Sequence, residues 1–224
     1  MLRTPFALVC AALVAACSSG EPAADTANSN DAHSDISGVL EVTSSFGPDF
    51  KVTTVAPTGI DPRILAPQSL PPGVEFEPPD CAKFATGLAV PAGLKGNMAA
   101  TTAEGEGNRF IAIAVETSEP VPLTDPGQAC QKVGFAGPGA RGVVEVAQSP
   151  AIDGVHALGT HRVVQTVVNG KPASGELYNY VASFGSFLVI VTANPLVQPN
   201  QPVAPVNTQR ARDLLTAAVA AVRG

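Results

Sequence analysis

The sequence contains no tryptophan, and aromatic residues make up only 5% of its 224 residues. Charged residues are also few, at 14%, and acids outnumber bases, so the formal net charge is −6. An acidic chain with scattered lysines and arginines lacks the basic patch that binds nucleic acid or an anionic membrane surface. These scarcities argue against a nucleic acid partner and against attachment to a membrane by charge.

Proline and glycine are abundant instead, at 21 residues each, while 45% of the chain is hydrophobic. This apolar content is enough for a packed core, and frequent turn residues favour strands joined by loops over a helical bundle.

The apolar run at the N-terminus is too short for a transmembrane helix, which needs about 20 apolar residues. Residues 6–16 are apolar, Arg3 precedes them, and Ala15 and Ala16 end the run. A positive start, a short apolar stretch and small residues at the end are typical of a secretory signal peptide. We therefore predict that residues 1–16 direct export and are removed.

A cysteine directly follows this segment, in the order Val14-Ala15-Ala16-Cys17. The tetrapeptide resembles the bacterial lipobox, in which an aliphatic and two small residues precede an invariant cysteine. The resemblance implies cleavage between Ala16 and Cys17, and a diacylglycerol on the Cys17 thiol. Two or more acyl chains hold a protein firmly at a bilayer. We expect a lipid-anchored protein on the extracytoplasmic face of the cell membrane; the alternative is an unmodified Cys17 in an ordinary signal.

The segment after Cys17 is predicted to be a flexible tether. Residues 18–38 contain four acids, no aromatic residue and one large aliphatic residue, Ile36. Such a segment cannot bury enough apolar surface to offset its ordering entropy. We expect residues 17–38 to be the lipidated cysteine and a disordered acidic spacer in which His33 is solvated, and residues 39–224 to form one domain.

Two cysteines remain in that domain, Cys81 and Cys130. Export places them in an oxidising compartment, where a single disulfide is the economical interpretation. A reactive thiol pair or a metal-binding pair is the competing one. Asp80 and Asp125 can each cap a short helix, so we expect each cysteine on a short helix, with the disulfide joining the two.

Alternating or continuous apolar runs predict strands at residues 109–117, 143–147, 161–168, 175–182 and 186–193, with one or two more in 39–55. Asn169-Gly170 is typical of a tight hairpin turn. Residues 208–223 predict an amphipathic helix capped by Asn207 or Thr208. We expect an α+β fold: a central antiparallel sheet of five or six strands, a C-terminal helix packed on one face, and the short disulfide-linked helices.

No motif for nucleophilic catalysis is recognised, and we predict no catalytic residue, metal or cofactor. His156 and His161 have a spacing that puts them on opposite faces of a strand. The glycine-rich segment 134–142 is interpreted as a connector, and residues 104–108 as a turn. Ala112 and Ala114 form a small face that could admit a helix or back a cavity. Tyr178 and Tyr180 share a strand face.

The lipobox, the acidic tether, the two domain cysteines and the block VVQTVVNGKPASGELYNYVASFGSFLVIVTANP before an alanine-rich helix resemble mycobacterial lipoproteins of unknown function. These are similar in turn to the extracellular sensor domains of mycobacterial serine/threonine kinases. The resemblance implies an α+β domain with a central antiparallel sheet and a ligand-binding cleft. It transfers no functional residues.

The leading functional hypothesis is therefore an envelope lipoprotein whose domain binds a small molecule, a lipid or a partner protein without catalysis. Two alternatives stay open. One is an envelope hydrolase or transferase with an unrecognised site, using His156 or His161. The other is a structural or antigenic surface lipoprotein.

Overall fold

The computed structural model describes residues 33–61, 70, 73–88, 93–168, 170–198 and 201–224. The signal segment, Cys17 and most of the predicted tether lie outside these residues. Within the described ranges, no helix is long and apolar enough to cross a membrane.

Nine strands in the described part of the chain form one antiparallel sheet, in the order β1-β3-β4-β9-β8-β7-β6-β5-β2. The expected antiparallel α+β fold is confirmed in outline, although the sheet is larger than the predicted five or six strands. The strands are β1 (Lys51–Gly59), β2 (Glu75–Glu77), β3 (Gly96–Gly105), β4 (Asn108–Thr117), β5 (Lys132–Gly137), β6 (Ala140–Ala147), β7 (His156–Val168), β8 (Lys171–Phe184) and β9 (Phe187–Pro195).

Strands β5 to β9 follow one another as a meander, joined by short turns except between β6 and β7, where residues 148–155 form a longer loop. Gly137 pairs with Ala140 across the β5–β6 turn, and Val168 pairs with Lys171 across the β7–β8 turn. Strand β4 then pairs with β9, and the β3–β4 hairpin continues the sheet to its β1 edge.

One face of the sheet, which we call the helix face, packs against two helices. The first is a 3-10 helix, Ile36–Ser45, whose buried apolar residues Ile36, Val39 and Val42 recur every third residue. This spacing matches the three residues per turn of a 3-10 helix, so one stripe faces the sheet. The Thr101 hydroxyl on β3 donates a buried hydrogen bond of 3.0 Å to the Val39 carbonyl oxygen and so fixes the helix to the sheet.

The second helix on this face is the predicted C-terminal one, which we call α2 (Thr208–Arg223). The Asn207 side chain accepts a hydrogen bond of 3.0 Å from the Arg210 amide, which confirms the predicted cap. The predicted apolar stripe is buried, and Val219 joins it. Ala112 and Ala114 on β4 are completely buried in the same cluster, so their small side chains admit helices and do not back a cavity.

The opposite face, which we call the loop face, carries two smaller apolar clusters. Ile113 and Val115 pack there with Leu188 and Ile190 from β9, which confirms the predicted alternation along β4. The second cluster contains the short helix α1 (Ala82–Ala85), which follows a 3-10 turn at Pro79–Cys81. The buried Arg162 of β7 donates a hydrogen bond of 2.8 Å to the Ala85 carbonyl oxygen at the end of α1.

The disulfide between Cys81 and Cys130 is present, with the two Cα atoms 5.5 Å apart. Cys81 lies at a helical turn as predicted, although Asp80 lies within that turn and no side chain caps it. The predicted helix at Cys130 is wrong. Asp125 accepts a hydrogen bond from the Gly127 amide, yet Gly127 has a φ of 55°. That left-handed conformation ends the helical path at once, so only a turn forms.

Three further expectations need correction. Segment 134–142 is not a connector, because it forms most of the β5–β6 hairpin, with its turn at 138–139. Residues 39–55 contain the 3-10 helix and the start of β1 where only strands were expected. Residues 35–38, assigned to the tether, are folded: the Asp35 amide donates to the Val222 carbonyl oxygen at 2.8 Å, and Ile36 and Gly38 are buried.

The contact between the 3-10 helix and α2 depends on Gly38. A Cβ atom at this position would lie 2.0 Å from the Ala221 carbonyl oxygen, so the two backbones would have to separate. Overpacking of this kind costs about 1–3 kcal/mol. We predict that Gly38→Ala lowers the free energy of unfolding by that amount, measured by chemical denaturation.

Gly47→Ala is the matched control, because nothing lies within 4 Å of a Cβ atom built at Gly47. This variant should leave stability within about 0.5 kcal/mol of the wild type. Equal stability of the two variants would show that the helix contact does not require glycine.

Candidate functional site

The two helices cover only part of the helix face. They pack on β1, β3, β4, β8 and β9. Register places a further set of side chains on this face, and all of them are exposed or half-buried. We call them the open strip: Glu75 and Glu77 on β2, Lys132, Gly134 and Ala136 on β5, Arg141, Val143 and Glu145 on β6, and His161, Val163 and Gln165 on β7.

A groove of about 630 Å³ crosses the open strip. Its floor consists of small or aliphatic residues of β5, β6 and β7, namely Gly134, Ala136, Val143 and Val163. A second groove, of about 530 Å³, lies toward the β5–β6 and β7–β8 turns and shares Arg141 and Gln165 with the first. Arg141 Nε donates a hydrogen bond of 2.9 Å to Gln165 Oε1, so this pair stands where the two grooves meet.

His161 lies where the open strip meets the covered part of the face. Its Nε2 atom is 2.9 Å from Glu176 Oε1 on β8, and its Nδ1 atom is 3.7 Å from Glu145 Oε2 on β6. The ring stacks on Tyr178, with 4.2 Å between centroids and 11° between planes. Three neighbouring strands thus hold the imidazole in one orientation.

A lysine extends this network toward the sheet edge. Lys132 Nζ on β5 lies 2.6 Å from Glu145 Oε1. The hydrogen bond from Lys132 lowers the pKa of Glu145, more than burial raises it, so this carboxylate stays ionised. Burial, followed by the negative charge of Glu176, raises the pKa of Tyr178, so its hydroxyl stays protonated and can donate.

The network is suited to presenting fixed charges and hydrogen-bonding groups. A general base needs a ring nitrogen that can accept the proton of a reacting group. In His161 both ring nitrogens face carboxylates of the protein itself. Glu176 thus lies at hydrogen-bonding distance from one ring nitrogen, while Glu145 faces the other nitrogen from 3.7 Å.

The other histidine and the second tyrosine lie elsewhere. His156 begins β7 and is exposed on the loop face, so the two histidines are on opposite faces of β7 as predicted. Tyr180 shares the helix face with Tyr178 but is completely buried among the residues that pack against α2. Residues 104–108 include the predicted turn, which joins β3 to β4 at Glu106 and Gly107.

The disulfide lies behind the open strip, on the loop face. Cys81 packs with Phe84 of α1 and with Val133 and Phe135 of β5. These residues of β5 alternate with Lys132, Gly134 and Ala136 of the open strip. The disulfide therefore stabilises the layer that supports the groove floor. Among the described residues, no group of three or more His, Cys, Asp and Glu side chains could hold a metal ion.

The sequence analysis did not identify Lys132, Glu145 or Glu176 as parts of a site. The positions of the tight turns in the sequence could have identified these three residues. Counting back along both strands from the 138–139 turn places Lys132 opposite Glu145, as observed. The same count from the turn that the sequence predicts at Asn169-Gly170 places His161 opposite Tyr178, as observed.

Comparison with known proteins identifies relatives without an assigned activity. No curated protein matches the sequence significantly. A crystal structure of an uncharacterised protein from Mycobacterium smegmatis, described as the Rv0999 ortholog, shares 64% identity with this chain. The match covers 87% of this chain and 100% of that one, with a TM-score of 0.82. This similarity fits a mycobacterial origin. The model of the domain of unknown function DUF5642 matches residues 35–223, and the chain therefore belongs to the DUF5642 family.

Proposed function

We propose that this protein is a membrane-anchored envelope lipoprotein whose extracytoplasmic domain binds a ligand or a partner protein without catalysing a reaction. The observation that carries the proposal is the open strip. An apolar groove floor next to charged side chains held in fixed positions is the usual composition of a binding surface. The ligand would be a small molecule, a lipid or a protein.

The anchor part of the proposal rests on residues 14–17 and their position after an apolar segment. The folded part begins no later than Asp35, so a short spacer would join Cys17 to the domain. A random-coil spacer of this length reaches about 20–25 Å, enough to lift the domain off the lipid headgroups. The resemblance to kinase sensor domains, which are extracellular, supports the same location.

A substitution at Cys17 tests the anchor. Cys17→Ala removes the thiol that would receive the diacylglycerol, so the protein should move from the membrane fraction to the soluble or secreted fraction. Fractionation of the native host followed by immunoblotting measures this. Cys10→Ala is the control and should leave the protein in the membrane. Unchanged partition of the Cys17→Ala protein would contradict lipid anchoring.

A cross-linking experiment tests the open strip. A photo-cross-linking amino acid at Ala136, which is exposed beside the groove, should yield a discrete adduct on the anchored full-length protein in its host. The same amino acid at Thr54, exposed on the β1 edge strand, is the control and should not yield that adduct. Mass spectrometry identifies what is attached.

Three outcomes decide the matter. An adduct specific to position 136 supports binding at the open strip. Identical adducts from both positions would show non-specific contact. The absence of any adduct at position 136, with normal expression and irradiation controls, would contradict the proposed binding surface.

A further inference from the structure

The groove that crosses the open strip is bordered by charges of opposite sign. Glu75 and Glu77 line it from β2, and Arg141 lines it from β6. Ala136 on β5 pairs with Glu75 on one side and with Arg141 on the other, so the acids and the arginine stand on opposite sides of β5. A ligand in the groove would therefore lie between two carboxylates and a guanidinium.

None of these three charges is neutralised by a neighbour in the described part of the chain. Both glutamates are exposed, and neither has a hydrogen bond or an ion pair there. Arg141 has one hydrogen bond, from its Nε atom to Gln165 Oε1. Because Gln165 is uncharged, Arg141 keeps its full charge, and both terminal nitrogens of the guanidinium remain able to donate to a ligand. The nearby Lys132 and Glu145, in contrast, neutralise each other at 2.6 Å.

The dimensions of the open strip favour a small ligand over a protein. Its four strands span about 14 Å between the outer strand axes, and it extends about 13 Å along β5 from Lys132 to Ala136. This area, roughly 180 Å², is well below the 800 Å² that each partner buries in a standard protein interface. The groove volume of about 630 Å³ lies within the range of small-molecule sites.

The distance between the two charged walls limits the length of the ligand. Two strand spacings separate Glu75 from Arg141, about 10 Å between their Cα atoms. Charge-assisted hydrogen bonds of about 2.8 Å at each wall take up more than half of this distance. Each residue of an extended peptide spans about 3.3–3.6 Å. One residue therefore fits between Glu75 and Arg141, and two residues fit the longer diagonal from Glu77 to Arg141.

The floor between the walls can accept a short apolar side chain. Val143 and Val163 contribute half-buried aliphatic groups to it. Gly134 contributes open space: a Cβ atom at this position would have one neighbour within 4 Å, the Glu77 carbonyl oxygen at 3.8 Å. The groove is thus accessible, apolar at its floor and charged at both sides.

We infer that this groove binds a zwitterionic ligand of one or two amino-acid residues, with its ammonium group on Glu75 and Glu77 and its carboxylate on Arg141. The inference rests on the proposed function, because it names the ligand class of the same surface. The guanidinium can bind a carboxylate through two parallel hydrogen bonds. A lipid or another ligand with a single charge would leave one of the two walls without a partner.

Three dipeptides test the two charges separately. Alanyl-valine carries both, N-acetyl-alanyl-valine lacks the ammonium group, and alanyl-valinamide lacks the carboxylate. Affinity is measured by NMR titration of the isotope-labelled full-length protein. Alanyl-valine should shift amide resonances of the open strip at millimolar concentration, and each blocked peptide should bind at least fivefold more weakly.

Substitutions at the walls should remove one preference at a time. Arg141→Gln should bind alanyl-valine and its amide equally, while it still prefers alanyl-valine to the N-acetyl peptide. The double variant Glu75→Gln, Glu77→Gln should show the reverse pattern. All three side chains lack charged partners in the described structure, so the Tm of these variants should equal that of the wild type.

Gly134→Val tests the groove itself. The valine side chain would fill the floor while its Cβ atom meets the protein only at ordinary contact distance, so the affinity for alanyl-valine should fall at least tenfold without a loss of Tm. Gly175→Val is the matched control. Nothing lies within 4 Å of a Cβ atom built at this exposed position of β8, and it lines neither groove.

The absence of any shift with alanyl-valine would overturn the inference, as would equal affinities for the three peptides. Weaker binding of only one blocked peptide would assign a site for a single charge and also contradict it. Equal losses of affinity from Gly134→Val and Gly175→Val would place the peptide elsewhere. A lipid or protein adduct at Ala136 without dipeptide binding would support the proposed function while refuting this inference, so the two can fail separately.

Discussion

The organisation of this domain follows from a mismatch in width between a sheet and the helices that must cover it. Nine strands about 4.8 Å apart span roughly 38 Å. Two helices of about 10 Å diameter cover roughly 20 Å, which corresponds to about five strands. The observed helices lie on five strands. The remaining four strands must either find another cover or carry side chains that tolerate water.

The strands carry different residues on the two sides of this boundary. On the covered strands, several helix-face positions are small: Ala103, Ala112, Ala114 and Ala193 are all completely buried. Together with Gly38 they let two helices approach the sheet and each other closely. On β5, β6 and β7, positions of the same face hold Lys132, Glu145 and His161. Lys132 forms an ion pair with Glu145, and Glu145 lies 3.7 Å from the His161 ring. Small residues therefore occupy this face where the helices cover it, and charged residues occupy it where the helix cover ends.

Elements with a strong pattern were predictable. The continuous apolar run of β9, the alternation of β4 and the stripe of α2 each depend on burial, which local composition reports. Strand β3 was missed because its residues, GNMAATTAEG, are mostly small and show little contrast between faces. Strand β2 has only three residues, and β5 lies in a glycine-rich segment. The 3-10 helix was missed because its three-residue period fits neither the helical nor the strand template.

The site was less predictable than the fold, because it is made of cross-strand neighbours. Glu145 and Glu176 stand far from His161 in the sequence and reach it only through the register of three strands. Register follows from the two tight turns, which are local features. The turns determine which residues are paired, and the alternation along each strand determines which face they lie on. Both are needed to predict the charge network.

The position of the first described residues indicates how far the second groove lies from the proposed anchor. The Asp35 amide is bonded to Val222 near the end of α2, and the Arg223 guanidinium stacks over Phe184, at the end of β8. The second groove includes Pro172, near the opposite end of the same strand. A strand rises about 3.3 Å per residue, so the two ends of β8 are roughly 40 Å apart. A chain anchored through Cys17 would therefore carry this groove at the end of the domain far from Asp35.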